Sequence, residues 1–170
     1  MTTERKENLL NWLRDAHAME EQAEKMLATT AERLENYPHL RSPVEQHIGE
    51  TRHQAEMLQN CITRLGGDTS AIKDAAGKMM AMVQGMSGMF VSDEVVKASL
   101  ASYAFEHMEI ASYKALIAAA DVCGDMETKR VCEQILAEEE AMASWLAQNL
   151  PATVKEFLLR DEAPGTTAKH

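Results

Sequence analysis

Four long stretches of the chain place apolar residues three or four positions apart, and each also carries an acid on its apolar side. This spacing predicts amphipathic helices, because residues three, four and seven apart share one face of a helix. The predicted helices run from Thr3 to about Asn36, from about Ser42 to Leu65, from about Ser92 to Val122 and from Met126 to Asn149. The acids on their apolar faces are Glu20, Glu50, Glu109 and Glu139.

Glycine and proline mark the predicted ends of these helices. Gly66 and Gly67 follow the second helix, Gly124 follows the third, and Pro151 closes the fourth, with one or two further turns left open over 153–159. A shorter helix is predicted over 71–84, inside the connection between the second and third helices. We therefore expect an all-α four-helix bundle with one crossover and an additional short helix, a single domain over residues 1–160 followed by a flexible tail at 161–170.

The hairpin of the third and fourth helices brings two of the acids to the same height. Glu109 and Glu139 each lie fifteen residues from the glycine of the turn between them. Glu20 and Glu50 are centred on Glu35, whereas the predicted turn lies a few residues later. We expect these two acids to differ in height by on the order of one helical turn.

An internal repeat supports this pairing of helices. A constant offset of 89 residues maps His17–Glu20 onto Glu106–Glu109 and Glu50 onto Glu139. His53 follows Glu50 by three residues, so the two form an E-x-x-H pair whose side chains share one helix face. The sequence thus predicts one acid from each helix and one histidine at a common level of the bundle.

The composition narrows the classes of function. A formal net charge of -10 argues against a nucleic-acid partner, because phosphate binding requires a positive surface. No apolar stretch approaches the roughly twenty residues that span a bilayer, and the amino terminus lacks the apolar core of a signal peptide. We therefore expect a cytoplasmic protein without a membrane partner. Cys61, Cys123 and Cys132 show no paired pattern and are expected to be reduced packing residues.

Acids on the inner faces of a bundle predict a metal site. A buried carboxylate must be protonated, paired with a cation or bound to a metal, and lysine and arginine are scarce on these faces. Carboxylates from four helices with an imidazole match the ligands of a two-metal site. Glu138 competes with Glu139 for the inward position, and His17 remains open as a ligand or a hydrogen-bond donor to one. The other histidines are expected to be exposed or packing residues: His39, His47 and His107.

Several motifs resemble the YciE/YciF family of ferritin-like, stress-associated bacterial proteins, with the match closer to its YciE members. They are Asp15-Ala-His-Ala-Met-Glu20, Phe105-Glu106-His-Met-Glu109 and Glu138-Glu139, and the resemblance extends over nearly the whole chain. It implies a ferritin-like bundle, a homodimer and a role in stress responses.

The resemblance also implies a set of metal ligands. Glu20 would be the acid of the first helix, Glu50 and His53 the E-x-x-H pair of the second, and Glu139 the acid of the fourth. Glu106 and Glu109 are similar to the paired acids of the third helix in rubrerythrin. The full expected set is Glu20, Glu50, His53, Glu106, Glu109 and Glu139, holding two iron or manganese ions per chain.

One departure from the ferritin-like pattern keeps a second function open. Met142 stands where the pattern has a second histidine, three residues after the acid of the fourth helix. The second possibility is a metal-free bundle with a structural or interaction role, in which the acids are protonated or hydrogen-bonded. Its partner surface would be the methionine-rich stretch from Met79 to Met89.

Overall fold

The computed structural model describes residues 2–68 and 93–168, and this part of the chain is helical and without strands. Its four long helices are α1 (Thr3–Glu32), α2 (Pro38–Arg64), α3 (Glu94–Cys123) and α4 (Met126–Glu162). The prediction of an all-α helical bundle is confirmed. The short helix expected over 71–84 and the methionine-rich stretch both lie outside the described residues.

Polar caps and a glycine set the helix ends next to the turns. The Arg5 N–H donates to Thr2 Oγ1 at the start of α1 (3.4 Å), and the Thr128 N–H donates to Asp125 Oδ1 at the start of α4 (3.2 Å). Gly124 ends α3 with φ of 71°. That left-handed conformation is easy for glycine and costly for residues with a Cβ, so the α3–α4 turn falls where the sequence predicts it.

Ion pairs between helix ends define the topology. Arg33, just after α1, pairs with Glu94 at the start of α3 (2.9 Å). Arg64, at the end of α2, pairs with Asp125 just before α4 (2.7 Å). The end of α2 and the start of α3 therefore lie at opposite ends of a bundle roughly 45 Å long, at about 1.5 Å per helical residue. This is the one-crossover arrangement, in which α1 packs on α2 and α3, and α4 packs on α3 and α2.

Two prolines lie inside helices that they were predicted to begin or end. α2 starts at Pro38 and continues through Pro43, and α4 continues through Pro151 to Glu162. The prediction that Pro151 closes the fourth helix is wrong. An interior proline costs about 3 kcal/mol, but Thr153 and Phe157 beyond it are buried, and this packing keeps the helix intact.

The residues after α4 contact the turn between α1 and α2. The Tyr37 hydroxyl donates to the Ala168 carbonyl (2.9 Å), and both residues are buried. The Arg160 guanidinium lies 5.3 Å from the centre of the Tyr37 ring. The flexibility expected for 161–170 stays a prediction, but Ala168 is anchored to the bundle by these contacts.

The core consists of two apolar clusters, and on α4 the buried Glu139 lies between them. One cluster includes Leu13, Leu58, Leu116 and Ile135, and the other includes Leu27, Leu40, Val44 and Leu146. The core thus places its charged layer far from either end of the bundle.

Among the described residues, no helix combines the length and apolar character needed to cross a membrane.

Candidate metal centre

Five ionisable side chains from four helices meet in this layer. Glu20 comes from α1, His47 from α2, Glu106 and Glu109 from α3, and Glu139 from α4. None of the five is more than 2% exposed. The acids of α1, α3 and α4 therefore meet in one buried layer, as the internal repeat and the equal spacing of Glu109 and Glu139 from the α3–α4 turn predict. α2 contributes a histidine to this layer in place of an acid.

His47 lies at the centre of the polar contacts. Its Nε2 is 3.4 Å from Glu139 Oε2 and 3.5 Å from Glu106 Oε2. Its Nδ1 is 2.9 Å from Glu50 Oε2, at the outer side of the helix. Ligand atoms of His47, Glu106 and Glu139 all lie within 4.8 Å of one another. Donors at about 2.0–2.2 Å from a divalent ion lie roughly this close together, so the three residues can hold a metal.

The charges of this layer shift one another's pKa values. Burial alone would lower the pKa of His47, but its contacts with Glu106 and Glu139 outweigh burial and raise this pKa to about 11. Burial raises the pKa of Glu106 to about 7 despite the opposing effect of His47. Burial, reinforced by Glu20 and then Glu139, raises the pKa of Glu109 well above its ordinary value. Without a bound cation, the raised pKa values therefore favour a charged His47 imidazole and a protonated Glu109 carboxyl.

Glu20 has a hydrogen-bond donor within the core. The hydroxyl of Tyr113, which is itself fully buried, donates to Glu20 Oε1. Burial, and next the nearby Glu139, raises the pKa of Glu20, while the Tyr113 hydrogen bond opposes that shift. The other oxygen of Glu20 has no hydrogen-bond partner in the described chain.

The donor set fits a hard divalent cation. Glu106 Oε2 and Glu139 Oε2 lie 3.5 Å and 3.4 Å from His47 Nε2. Three fully buried carboxylate oxygens have no hydrogen-bond partner among the described residues: Glu20 Oε2, Glu109 Oε1 and Glu139 Oε1. Leaving such an oxygen unsatisfied costs about 1–3 kcal/mol, and more when it is charged. Carboxylate oxygens and one imidazole nitrogen are the ligands that iron and manganese take in helical bundles.

The structure places two predicted ligands of α2 outside this layer. His53 is on the solvent face, with a side chain 61% exposed and 3.9 Å from Glu56. Glu50 is partly exposed and contacts the layer only through His47. The physical reason is helix phase: the buried face of α2 runs through His47, Thr51 and Gln54, so the side chain of His53 points away. The histidine of this site is therefore His47, for which the sequence had predicted a packing or exposed position.

A signal for this phase was present in the sequence. One face of α2 is defined by apolar residues whose spacings are four or ten residues, that is, sums of steps of three and four: Leu40, Val44, Ile48, Leu58 and Ile62. His47 falls on that face, whereas His53 does not. The E-x-x-H spacing suggested the neighbouring face.

Glu138, His17 and Met142 each have a defined position relative to the layer. Glu138 lies outside it, where its Oε2 accepts a hydrogen bond from Gln54 Nε2 (2.8 Å), while the adjacent Glu139 points inward. His17 is buried, its Nδ1 has no hydrogen-bond partner in the described chain, and burial lowers its pKa. Met142 is buried in the apolar cluster that includes Leu27 and Leu146.

Comparison with known proteins gives the chain a family. Residues 4–159 match the family described as a domain of unknown function, DUF892. The chain belongs to the DUF892 family. A crystal structure of a protein from Xanthomonas campestris pv. campestris is similar to this DUF892 chain, with 40% identity and a TM-score of 0.80, over 94% of this chain and 99% of that one. A second structure is YcfI from Rhodopseudomonas palustris, whose description suggests a structural role. It is 28% identical with a TM-score of 0.67, over 86% of the DUF892 chain and 94% of its own.

Proposed function

We propose that this DUF892 protein is a ferritin-like metal-binding bundle whose buried layer holds two divalent ions, iron or manganese. The observation that carries the proposal is the group of fully buried carboxylates around His47, several of whose oxygens have no hydrogen-bond partner within the described part of the chain. Uncompensated charge in such a place is costly, and a divalent ion between the carboxylates removes that cost.

The geometry supports specific roles for the residues. His47, Glu106 and Glu139 would hold one ion, and Glu20 and Glu109 would add the oxygens for a second. Glu50 would act through His47: its carboxylate next to Nδ1 fixes the orientation of the imidazole, as carboxylates behind metal-bound histidines generally do.

The chemistry of the site follows from its ligands. Bound iron or manganese would supply electron transfer to oxygen or peroxide. The apolar clusters on either side keep bulk water away from the layer, and Tyr113 holds Glu20 in place through its hydroxyl. Carboxylates that are fixed in this way can neutralise two ions without large movements of the helices.

Metal analysis of protein purified without chelator tests the proposal. After reconstitution with Fe²⁺ or Mn²⁺, we expect close to two equivalents per folded chain. Less than about one equivalent would contradict a two-metal site.

Matched pairs of variants test which residues bind. His47→Gln and Glu139→Gln should weaken Mn²⁺ affinity at least tenfold, since each removes a ligand from the buried group. His53→Gln and Glu133→Gln are the controls on the same helices and should leave the affinity unchanged, because both side chains are exposed outside the layer. An equal effect of His47→Gln and His53→Gln would refute the proposed ligand set.

A metal-free structural or interaction protein is the second candidate. The favouring observation is that Tyr113 and His47 already stabilise some of the acids without an ion. In this case the double variant Glu106→Gln/Glu109→Gln should fold with wild-type stability at about pH 5, where an amide replaces a protonated acid at both positions. In the metal-binding case the same variant should lose its metal and its metal-dependent stabilisation.

The finer features of the YciE/YciF resemblance belong to the same proposal: membership of that family, a role in stress responses, a cytoplasmic location and a homodimer. The quoted motifs support the first two. The three free cysteines support a reducing compartment. Trp12 and Val122 are exposed apolar residues that line a shallow surface pocket between α1 and the end of α3, and they support a subunit contact there. Sedimentation equilibrium giving a monomer at all concentrations would refute the dimer.

A further inference from the structure

A cleft between α2 and α4 leads from solvent to the buried layer. Its volume is about 580 Å³, and its walls include Ala137, Ala141 and Trp145 of α4. His47 of α2 forms part of its lining, although that side chain is only 3% exposed. The imidazole therefore separates the cleft from Glu106 and Glu139, which its other edge contacts.

Acids flank the same cleft. Glu50 on α2 and Glu138 on α4 both line it, and a glutamine donates a hydrogen bond to each carboxylate: Gln46 to Glu50 (2.9 Å) and Gln54 to Glu138 (2.8 Å). Two carboxylates beside low-dielectric walls concentrate the negative potential there and raise the local concentration of cations. Exposed acids alone are common on helices, but here the buried Glu139 carboxylate lies directly behind His47, with Oε2 3.4 Å from the imidazole Nε2 and Oε1 without a hydrogen-bond partner among the described residues.

We propose that the α2–α4 cleft is the route by which a divalent cation reaches the buried layer, with Glu50 and Glu138 attracting the ion and His47 turning aside to receive it. This inference rests on the proposed function and adds the path to it. The cation exchanges its water for carboxylate oxygens in the cleft before it meets His47. Rotation of one side chain then connects the cleft to Glu106 and Glu139, without separation of the helices.

The α1–α3 groove is the competing route. It has a volume of about 250 Å³ and is lined by Trp12, Asp15 and Ala115, among others. Met19 and Leu116 are also in its lining, and both are buried core residues. Asp15 is the one acid among the described residues that line this groove. The groove reaches apolar core side chains, whereas the α2–α4 cleft reaches His47.

Steric variants distinguish the two routes. Ala137→Phe and Ala141→Phe each place a ring in the α2–α4 cleft, and Ala115→Phe places the same ring in the α1–α3 groove. All three alanines are exposed helix residues, so the substitutions leave the core unchanged. The rates of Mn²⁺ uptake and release are measured by stopped-flow competition with a fluorescent chelator, and the equilibrium affinity by calorimetry.

We expect Ala137→Phe and Ala141→Phe to slow uptake and release by the same factor, about tenfold, with unchanged affinity, and Ala115→Phe to change neither rate. A blocked path alters rates in both directions equally, whereas a lost ligand alters the affinity. Glu138→Gln should slow uptake at low salt, and the difference should vanish at high salt, where the field is screened.

The outcomes separate the route from the site. If wild type binds Mn²⁺ and Ala115→Phe is the slow variant, or all three variants match wild type, the route is overturned and the metal site stands. If wild type binds no Mn²⁺ at equilibrium, the proposed function fails, and the route fails with it.

Discussion

The stability of the metal-free protein should fall as the pH rises from about 5 to about 7.5. Burial, against the opposing effect of His47, raises the pKa of Glu106 from 4.5 in the unfolded chain to about 7 in the folded chain. Between these pH values the folded state binds more protons than the unfolded state, so the free energy of unfolding decreases as the pH increases. A shift of this size corresponds to on the order of 3 kcal/mol.

Other groups of the layer act in the same direction. Burial, and next Glu139, raises the pKa of Glu20, which adds to the loss of stability at higher pH. The pKa of His47, lowered by burial but raised further by its two carboxylates, goes from 6.5 to about 11. Its stabilising effect is complete below pH 6.5 and is lost progressively between pH 6.5 and about 11, so the first part of that loss adds to the fall below about pH 7.5.

Urea unfolding in the presence of EDTA measures this fall as a free energy of unfolding. In thermal unfolding of a chain of this length, 3 kcal/mol corresponds to a decrease in Tm of roughly 6–12 °C between the two pH values. Glu106→Gln should show a smaller fall, because an amide does not ionise, and the exposed Glu133→Gln should show the full wild-type fall. Metal-free protein whose stability is constant or increases over this range would refute the burial of ionisable acids in the layer.

Two further predictions concern single residues. Tyr113→Phe should destabilise the metal-free protein by about 1–3 kcal/mol in urea unfolding, because Glu20 loses its buried hydrogen-bond donor. The control Tyr103→Phe should change the stability little, and equal effects of the two variants would contradict the role of Tyr113 as that donor. Gly124→Ala should lower the free energy of unfolding by about 1–2 kcal/mol, because the φ of Gly124 is 71°. Gly49 lies inside a helix with open space around it, so Gly49→Ala should be neutral or stabilising by up to about 1 kcal/mol. Thermal unfolding compares the two variants.

The α3–α4 hairpin was predictable from the sequence because its information is local. Gly124 fixes the turn, and equal spacing from it places Glu109 and Glu139 at one level. The α1–α2 pair is closer to level than expected, since the turn between Glu32 and Pro38 is centred on Glu35. The prolines predicted the wrong helix ends, because packing around Tyr37 and Phe157 outweighs local propensity.

The sequence prediction missed the histidine of α2, because the spacing around Glu50 alone does not fix which face of this helix turns inward. Each residue turns a helix by about 100°, so a face chosen one residue away carries different side chains into the core. Glu50 and Thr51 are neighbours on opposite sides of this boundary, and only Thr51 is buried. His47 and His53 are equally plausible by spacing from Glu50, and only the apolar pattern of the whole helix separates them.

The α1–α3 groove and the α2–α4 cleft are each lined by one of the chain's two tryptophans. Trp12 lines the α1–α3 groove and Trp145 the α2–α4 cleft. Replacing either indole with phenylalanine leaves a fluorophore on one side only, so quenching by a paramagnetic ion reads out which flank it approaches. The two tryptophans thus serve as intrinsic fluorescent reporters, and no dye has to be attached to follow the approach of an ion.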